Sequence, residues 1–226
     1  MTGKQLVQFR KQNGLTQVQA AQALGVSQTY LSLLENEKRP LSVKLKEKAV
    51  RVFGLPPTEM PVETDLSKVT DDQLAADLAA LGYKGFSHLK PTRPKNPVTV
   101  LVSALNADNR DARLVEALPW VLLNFADMKW DELVRVAKTN DLQNRLGFVT
   151  TVARQVAESK GDKNTATKLK RHEAELERSL LFREETLCNE SMTNAERKWL
   201  AAERPETARH WRLLTNLSPE HLSYAK

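Results

Sequence analysis

Residues 15–39 read Leu15-Thr16-Gln17-Val18-Gln19-Ala20-Ala21-Gln22-Ala23-Leu24-Gly25-Val26-Ser27-Gln28-Thr29-Tyr30-Leu31-Ser32-Leu33-Leu34-Glu35-Asn36-Glu37-Lys38-Arg39. Thr16 and Gln19 stand three apart, the spacing of a capping box, in which each side chain pairs a backbone N–H left open at a helix start. Val18, Ala21 and Leu24 follow as an apolar stripe at helical spacing. Gly25 can adopt the positive φ that a tight turn needs. Val26 closes the apolar corner, and Ser27 caps a second helix carrying Tyr30, Leu31, Leu33 and Leu34 to about Asn36. Ala21 is small where the two helices must approach. Two short capped helices joined in this way make a helix-turn-helix.

Working outward, Thr2 and Gln5 form another capping box, ahead of Leu6, Phe9 and Arg10, and Asn13-Gly14 ends that helix. Ser42 caps a fourth helix with Leu45, Ala49, Val52 and Phe53, stopped by Gly54. Pro56, Pro57 and Pro61 then predict an extended linker. The expected division is a head at 1–56, a linker at 57–66 and a larger helical domain at 67–226.

In that larger part, Thr70 and Gln73 open a helix to about Leu81, which Gly82 ends. A helical turn over 86–90 and a second Pro-rich connector, Lys90 to Pro97, follow. Val98 to Leu105 is ambiguous. Its alternating valines favour a strand, whereas Asn96 as cap and Pro97 at the first helical position favour a helix, which we adopt. Residues 111–125 are helical and apolar on both sides, with Pro119 kinking or splitting the run. Helices over 130–139, 141–159, 162–187, 193–203, 205–215 and 218–225 complete an all-α chain, with short strands near 98–102 as the one alternative. In helix 162–187, Leu169, Leu176, Leu180 and Leu187 repeat as a short heptad-like stripe, read as a face packed on the domain, with a dimer or partner seam as the alternative. Lys163, Lys168, Lys170 and Arg171 are balanced by Glu173, Glu175 and Glu177 on a solvated face. Trp120, Trp130, Trp199 and Trp211 are expected as core anchors, and Cys188 as a buried or half-buried thiol.

Composition narrows the function. The chain has 226 residues, 41% hydrophobic and 27% charged, an ordinary globular balance. It contains no run of the roughly 18 apolar residues of a membrane span, so the cytoplasm is the expected location and a membrane is not an expected partner. One cysteine and four scattered histidines give neither a disulfide nor a metal-ligand spacing. With no HExxH, GxSxG or Walker loop, neither enzyme activity nor a cofactor is expected. The net charge is +6. Residues 1–55 hold nine Lys or Arg against three Glu, while the other 171 residues hold 25 of each sign. The whole excess therefore belongs to the head, where a polyanion would be met.

Residues 2–55 resemble the XRE family, which includes the lambdoid Cro and repressor heads. The resemblance rests on Leu15-Thr16-Gln17, Ala20-Ala21, Leu24-Gly25-Val26-Ser27, Leu31 and Leu34, and Glu35-Asn36-Glu37-Lys38-Arg39-Pro40. It implies a lambda-repressor-like head of four to five helices whose third helix enters the DNA major groove. Ser27, Gln28, Thr29 and Ser32 would then face base edges, with Gln28 suited to adenine N6/N7 and Thr29 to a hydrogen bond or a thymine methyl. Thr16 and Gln17 would lie at a phosphate, Gln17 also beside Gln28. Tyr30 would either stack on the DNA backbone or pack on the head. Asn36, Lys38, Arg39 and Lys44 would contact phosphates. Arg10 and Glu35 would form a structural ion pair. The position of Leu33 is polar and base-reading in some relatives; here Leu33 could meet thymine methyls, with core packing as the reading adopted. The family usually has Gly where Glu37 stands, which bears on the turn after the third helix.

The larger part is less specific. Arg113 to Trp120 and Asn144-Arg145-Leu146-Gly147-Phe148 loosely resemble segments of AbiEi-type antitoxins. Leu146 and Phe148 read equally as plain core, with Arg145 on a surface. The expectation is a dimeric autorepressor of a palindromic double-stranded operator, with antitoxin of a cognate toxin as its most specific form. The alternatives are a ligand-responsive regulator, with a pocket lined by Trp120 or Trp130, and a toxin-neutralising module in which DNA binding is secondary.

Overall fold

The computed structural model describes residues 1–63, 69–90 and 92–225. The chain divides into two compact units, Met1–Glu63 and Thr64–Lys226. Residues 64–66 of the expected linker, 67, 68 and 226 of the expected larger domain, and Pro91 of the second connector lie outside the described residues.

The first unit contains α1 (Gly3–Gln12), α2 (Gln17–Leu24), α3 (Gln28–Glu35) and α4 (Val43–Val52). Local chemistry sets each boundary. Thr2 and Thr16 both make complete capping boxes, and Ser27 and Ser42 accept the backbone N–H of Tyr30 and Leu45. Gly25 ends α2 at φ +64°. Leu6, Ala20, Ala21, Leu24, Leu31, Leu34, Leu45, Ala49 and Phe53 form one core. Val18 departs from its expected stripe and is 57% exposed. The inward row of α2 runs through Gln17, Ala20, Ala21 and Leu24, and Val18 lies one residue, about 100°, off it. Leu33, read as core, is only half-buried. The prolines after α4 give one 3-10 turn, Pro57–Glu59, where extended backbone was expected.

The second unit is also mainly helical: α5 (Asp71–Ala80), α6 (Pro97–Leu105), α7 (Ala112–Glu116), α8 (Leu118–Asn124), α9 (Trp130–Thr139), α10 (Gln143–Ser159), α11 (Lys163–Glu177), α12 (Asn194–Glu203) and α13 (Glu206–His210). The valine-rich stretch is helix α6. Asn96 Oδ1 accepts the Val98 N–H at 2.9 Å and Pro97 occupies the first turn. Every residue of α6 is buried, so its apolar pattern has no polar face and carries no period. The 111–125 run divides at Ala117, which lets Pro119 sit in the first turn of α8, where no N–H is needed.

Three expected helices are shorter than the sequence indicated. Helix 162–187 ends at Glu177; Leu169 and Leu176 are fully buried, whereas Leu187 belongs to a separate segment beyond the end of the helix. Helix 205–215 is only α13, because Arg212 turns the chain at φ +56°. The following strand β2 (Leu213–Leu214) pairs in parallel with β1 (Glu185–Thr186). Residues 218–225 hold one 3-10 turn, Pro219–His221.

Helix α10 is the axis of this unit and is buried along most of its length. Arg145, expected on a surface, is 6% exposed. Its Nη1 donates to the Leu105 and Ala107 carbonyls at 2.7 and 2.9 Å, and its Nε lies 3.4 Å from Glu185 Oε2. The guanidinium thus satisfies carbonyls that the end of α6 leaves open. Cys188 is also buried beside Arg145, and burial pushes its thiol up to about 11. Trp211 is fully buried, its Nε1 donating to Thr151 Oγ1 at 2.8 Å. Trp130 is buried and stacks on His172 at 4.0 Å. Trp120 is half-buried. Trp199, expected as an anchor, is 56% exposed, because Leu200 supplies the inward position of α12.

Gly147 on α10 is where Trp211 meets the backbone. A Cβ there would lie 2.1 Å from Trp211 Cζ3. Gly147→Ala is therefore expected to lower the unfolding free energy by about 1–3 kcal/mol through overpacking. Chemical denaturation measures this, and an unchanged midpoint would show that the ring can move aside freely.

Candidate nucleic-acid interface

The turn at Gly25 leaves the start of α3 in solvent: Ser27, Gln28 and Thr29 are exposed, and Tyr30 is 38% exposed. Ser32 follows one turn later, half-buried on the same helix. Not all of these side chains are equally free. Ser27 Oγ already accepts the Tyr30 N–H at 3.1 Å. Asn36 Nδ2 donates to the Ser32 carbonyl at 2.8 Å, which leaves its Oδ1 open to a donor. Thr16 Oγ1 accepts the Gln19 N–H at 3.2 Å, so the exposed hydroxyl serves as a cap.

Beneath this surface lies a buried carboxylate. Glu35 is 7% exposed. Arg10 Nε donates to Glu35 Oε1 at 2.6 Å, and Arg10 Nη2 to Glu35 Oε2 at 3.1 Å. A third nitrogen, Arg10 Nη1, donates to the Leu15 carbonyl at 3.0 Å, tying the pair to the entry of α2. Gln17 Nε2 also donates to Glu35 Oε2, at 2.9 Å. An ionised carboxylate only accepts, so Glu35 draws the amide nitrogen of Gln17 inward and turns its Oε1 outward. That oxygen accepts from Gln28 Nε2 at 3.4 Å. Gln28 keeps one N–H and its Oε1, the donor–acceptor pair that matches N7 and N6 of adenine. Residues 10, 17, 28 and 35, on three helices, are thereby joined in one hydrogen-bonded chain.

The charge around this surface is positive. Lys38, Arg39 and Lys44 are exposed and make no ion pair among the described residues. Lys48 escaped the sequence reading. It lies four residues after Lys44 on α4, and its Nζ stands 2.7 Å from where a Cβ on Gly25 would sit. It therefore sets a cation over the turn itself. The only available signal was the i, i+4 spacing. Val18 and Val43, each 57% exposed, are apolar positions on the surface of the same unit.

Glu37 keeps the left-handed turn after α3, at φ +58°. Its backbone N–H donates to the Leu34 carbonyl at 3.1 Å, and the Lys38 N–H to the Leu33 carbonyl at 2.9 Å. The turn retains the conformation for which glycine is best suited, with a side chain that bears its strain.

Comparison with known proteins agrees with this geometry. The Helix-turn-helix family model matches residues 6–60. Over 98 residues the chain is 32% identical to the HTH-type transcriptional regulator PuuR of Escherichia coli (strain K12) and to that of Shigella flexneri. The match covers 42% of this chain and 51% of each relative, so the chain spans about half the length of the curated relatives it matches. No solved structure matches the chain significantly. Residues 6–60 form a helix-turn-helix domain of the XRE type.

Two stability measurements test this framework. Arg10→Ala strands a buried carboxylate and is expected to cost about 3–5 kcal/mol, while Arg10→Met combined with Glu35→Leu recovers most of the loss. A double variant as unstable as the single one would contradict the account. Glu37→Gly is expected to stabilise the head by roughly 1 kcal/mol on thermal unfolding, and a lower melting temperature would oppose it.

Proposed function

We propose that the chain is a sequence-specific DNA-binding transcriptional regulator that represses as a homodimer on a palindromic operator. The observation that carries the proposal is the hydrogen-bonded chain ending at Gln28, on an exposed helix within residues 1–55, the stretch that holds nine Lys or Arg against three Glu. The helix-turn-helix match and the similarity to PuuR support the DNA-binding part. Repression, dimerisation and operator symmetry are our extension of it.

The mechanism separates affinity from reading. Lys38, Arg39, Lys44 and the N–H groups at the start of α2, beside Thr16 and Gln17, meet phosphates and set the register. Gln28, Thr29 and Ser32 read base edges, with Gln28 held by Gln17 before DNA arrives. Tyr30 borders the same helix face, and Asn36 takes a backbone contact. Residues 67–226 carry dimerisation and partner or ligand contact. The proposal assigns no catalysis to the chain and places its action in the cytoplasm at the operator. Among the described residues no helix is long and apolar enough to cross a membrane.

An antitoxin role is the most specific form of the proposal. Its support is the loose resemblance at Arg113–Trp120 and Asn144–Phe148. The burial of Arg145, Leu146 and Phe148 accounts for that second segment as core, and so lends the role no added weight.

Binding assays decide the main reading. Gln28→Ala is expected to cost about 1–3 kcal/mol at a single base position, with random DNA bound as before. Lys38→Ala with Arg39→Ala is expected to weaken all sequences alike and to flatten the slope of log K against log salt by about 0.9 for each lost contact. Footprinting is expected to show two half-sites about one DNA turn, ~34 Å, apart. A single half-site bound by monomer, or equal losses on specific and random DNA for Gln28→Ala, would overturn the proposal.

A further inference from the structure

Helix α12 turns one face inward and leaves another bare. Leu200 is buried. Arg197, one turn before it, is half-buried, and its Nη2 donates to the Glu190 carbonyl and to Glu190 Oε2, both at 2.9 Å. These two residues fix the side of the helix that meets the rest of the unit. Trp199 is 56% exposed. Ala195, four residues before it, and Ala202, three after it, are exposed as well. At 3.6 residues per turn these three share one face, and Trp199 points about 100° away from Leu200. The four-then-three spacing is that of a coiled-coil seam. The capping box of Thr193 with Glu196 starts the helix from within the chain, so the seam stands on a helix already formed.

The charges beside this seam decide what fits it. Lys198 and Glu203 lie on opposite flanks, both exposed, and among the described residues neither makes an ion pair or a hydrogen bond. They stand five residues apart, the separation at which the flanks of two parallel helices meet across a seam. In a parallel pair related by a two-fold axis, Lys198 meets the partner's Glu203, and the symmetry repeats the contact. An antiparallel pair would set each flank against its own kind, with lysine facing lysine and glutamate facing glutamate. Glu196, on the same flank as Glu203, is already engaged: its Oε2 accepts the Thr193 N–H at 2.6 Å and the Thr193 hydroxyl at 2.8 Å. The two alanines let the helix backbones approach, and the Trp199 rings then meet each other at the centre.

We propose that α12 is a self-association surface, pairing in parallel with α12 of a second copy through Ala195, Trp199 and Ala202, with Lys198 and Glu203 fixing the orientation. The inference gives the homodimer of the proposed function a location and rests on that part of the reading alone. A helix of 10 residues is only about 15 Å long, too short to supply the roughly 800 Å² a side of a standard interface. The contact is therefore weak and reversed by dilution. Two copies held on neighbouring half-sites would meet at a raised effective concentration.

The test uses the full chain without DNA. Analytical ultracentrifugation over a concentration series is expected to show a reversible monomer–dimer equilibrium. Trp199→Glu is expected to weaken dimerisation by more than about tenfold. Its melting temperature in dilute solution should stay that of the unaltered chain, since the residue is exposed. Lys198→Glu and Glu203→Lys are each expected to weaken the dimer about tenfold by placing like charges together. Combined, they are expected to restore affinity to within about threefold, and this exchange decides the question even if Trp199→Glu does not fold. Ala202→Cys is expected to give a disulfide-linked dimer on oxidation, because the parallel register sets the two positions side by side and the native Cys188 is buried. A dimer unaffected by Trp199→Glu, or a charge exchange that fails to recover, would overturn this surface and leave the homodimer reading standing. A chain that stays monomeric at every concentration would remove both. Neither result bears on binding to a single DNA half-site.

Discussion

A buried carboxylate cannot be left alone, and in the N-terminal unit that constraint organises the surface. Glu35 sits in the core side of α3 at 7% exposure. Its two oxygens require donors, and Arg10 and Gln17 provide them from two other helices. Arg10 fixes α1 against α3. Gln17 does something further, because satisfying Glu35 consumes its amide nitrogen and leaves its oxygen as the group presented to Gln28. The electrostatic demand of the core therefore sets the polarity of an exposed side chain. On the proposed function, a Gln28 already bonded to Gln17 would lose less rotamer entropy on meeting DNA.

The larger unit solves a similar problem around α10. Arg145 is enclosed by carbonyls at the end of α6 and by Glu185, which stands on β1. Trp211 presses on the same helix at Gly147, just before β2. These two contacts tie the irregular 178–193 and 211–217 segments to the one long buried helix. The parallel pairing of β1 with β2 then brings the two segments together, and between them they supply Leu187, Leu214 and Leu217 to one cavity wall.

How much was legible follows from the distance over which each feature is decided. The head was readable because its boundaries are set within three or four residues: Thr16 with Gln19, Ser27 with Tyr30, and Gly25 by its own φ. α6 was readable for the same reason, since Asn96 and Pro97 outweighed the valine alternation. The ends of the larger unit were not readable. Glu185 and Leu213 lie far apart in sequence and are made strand only by each other, and local propensity favoured helix at both. Arg145 shows the same limit: a lone arginine in an apolar helix has no local sign that carbonyls from residues 105 and 107 will enclose it. At the candidate interface, the exposed start of α3 follows from its cap, whereas the Gln17–Glu35 bond does not, since its partners are 18 residues apart and on different helices.

The charge distribution connects these observations to function. A net +6 spread over 226 residues would give a weak field everywhere. Confined to residues 1–55, it surrounds the helix whose side chains are already ordered by Glu35. On the proposed function, long-range attraction to phosphate and short-range reading of bases would reside in one unit and fail separately, since salt screens the first and leaves the second. The larger unit, Thr64–Lys226, holds 25 basic and 23 acidic residues, so its small excess is spread over a far longer chain and gives no comparable field.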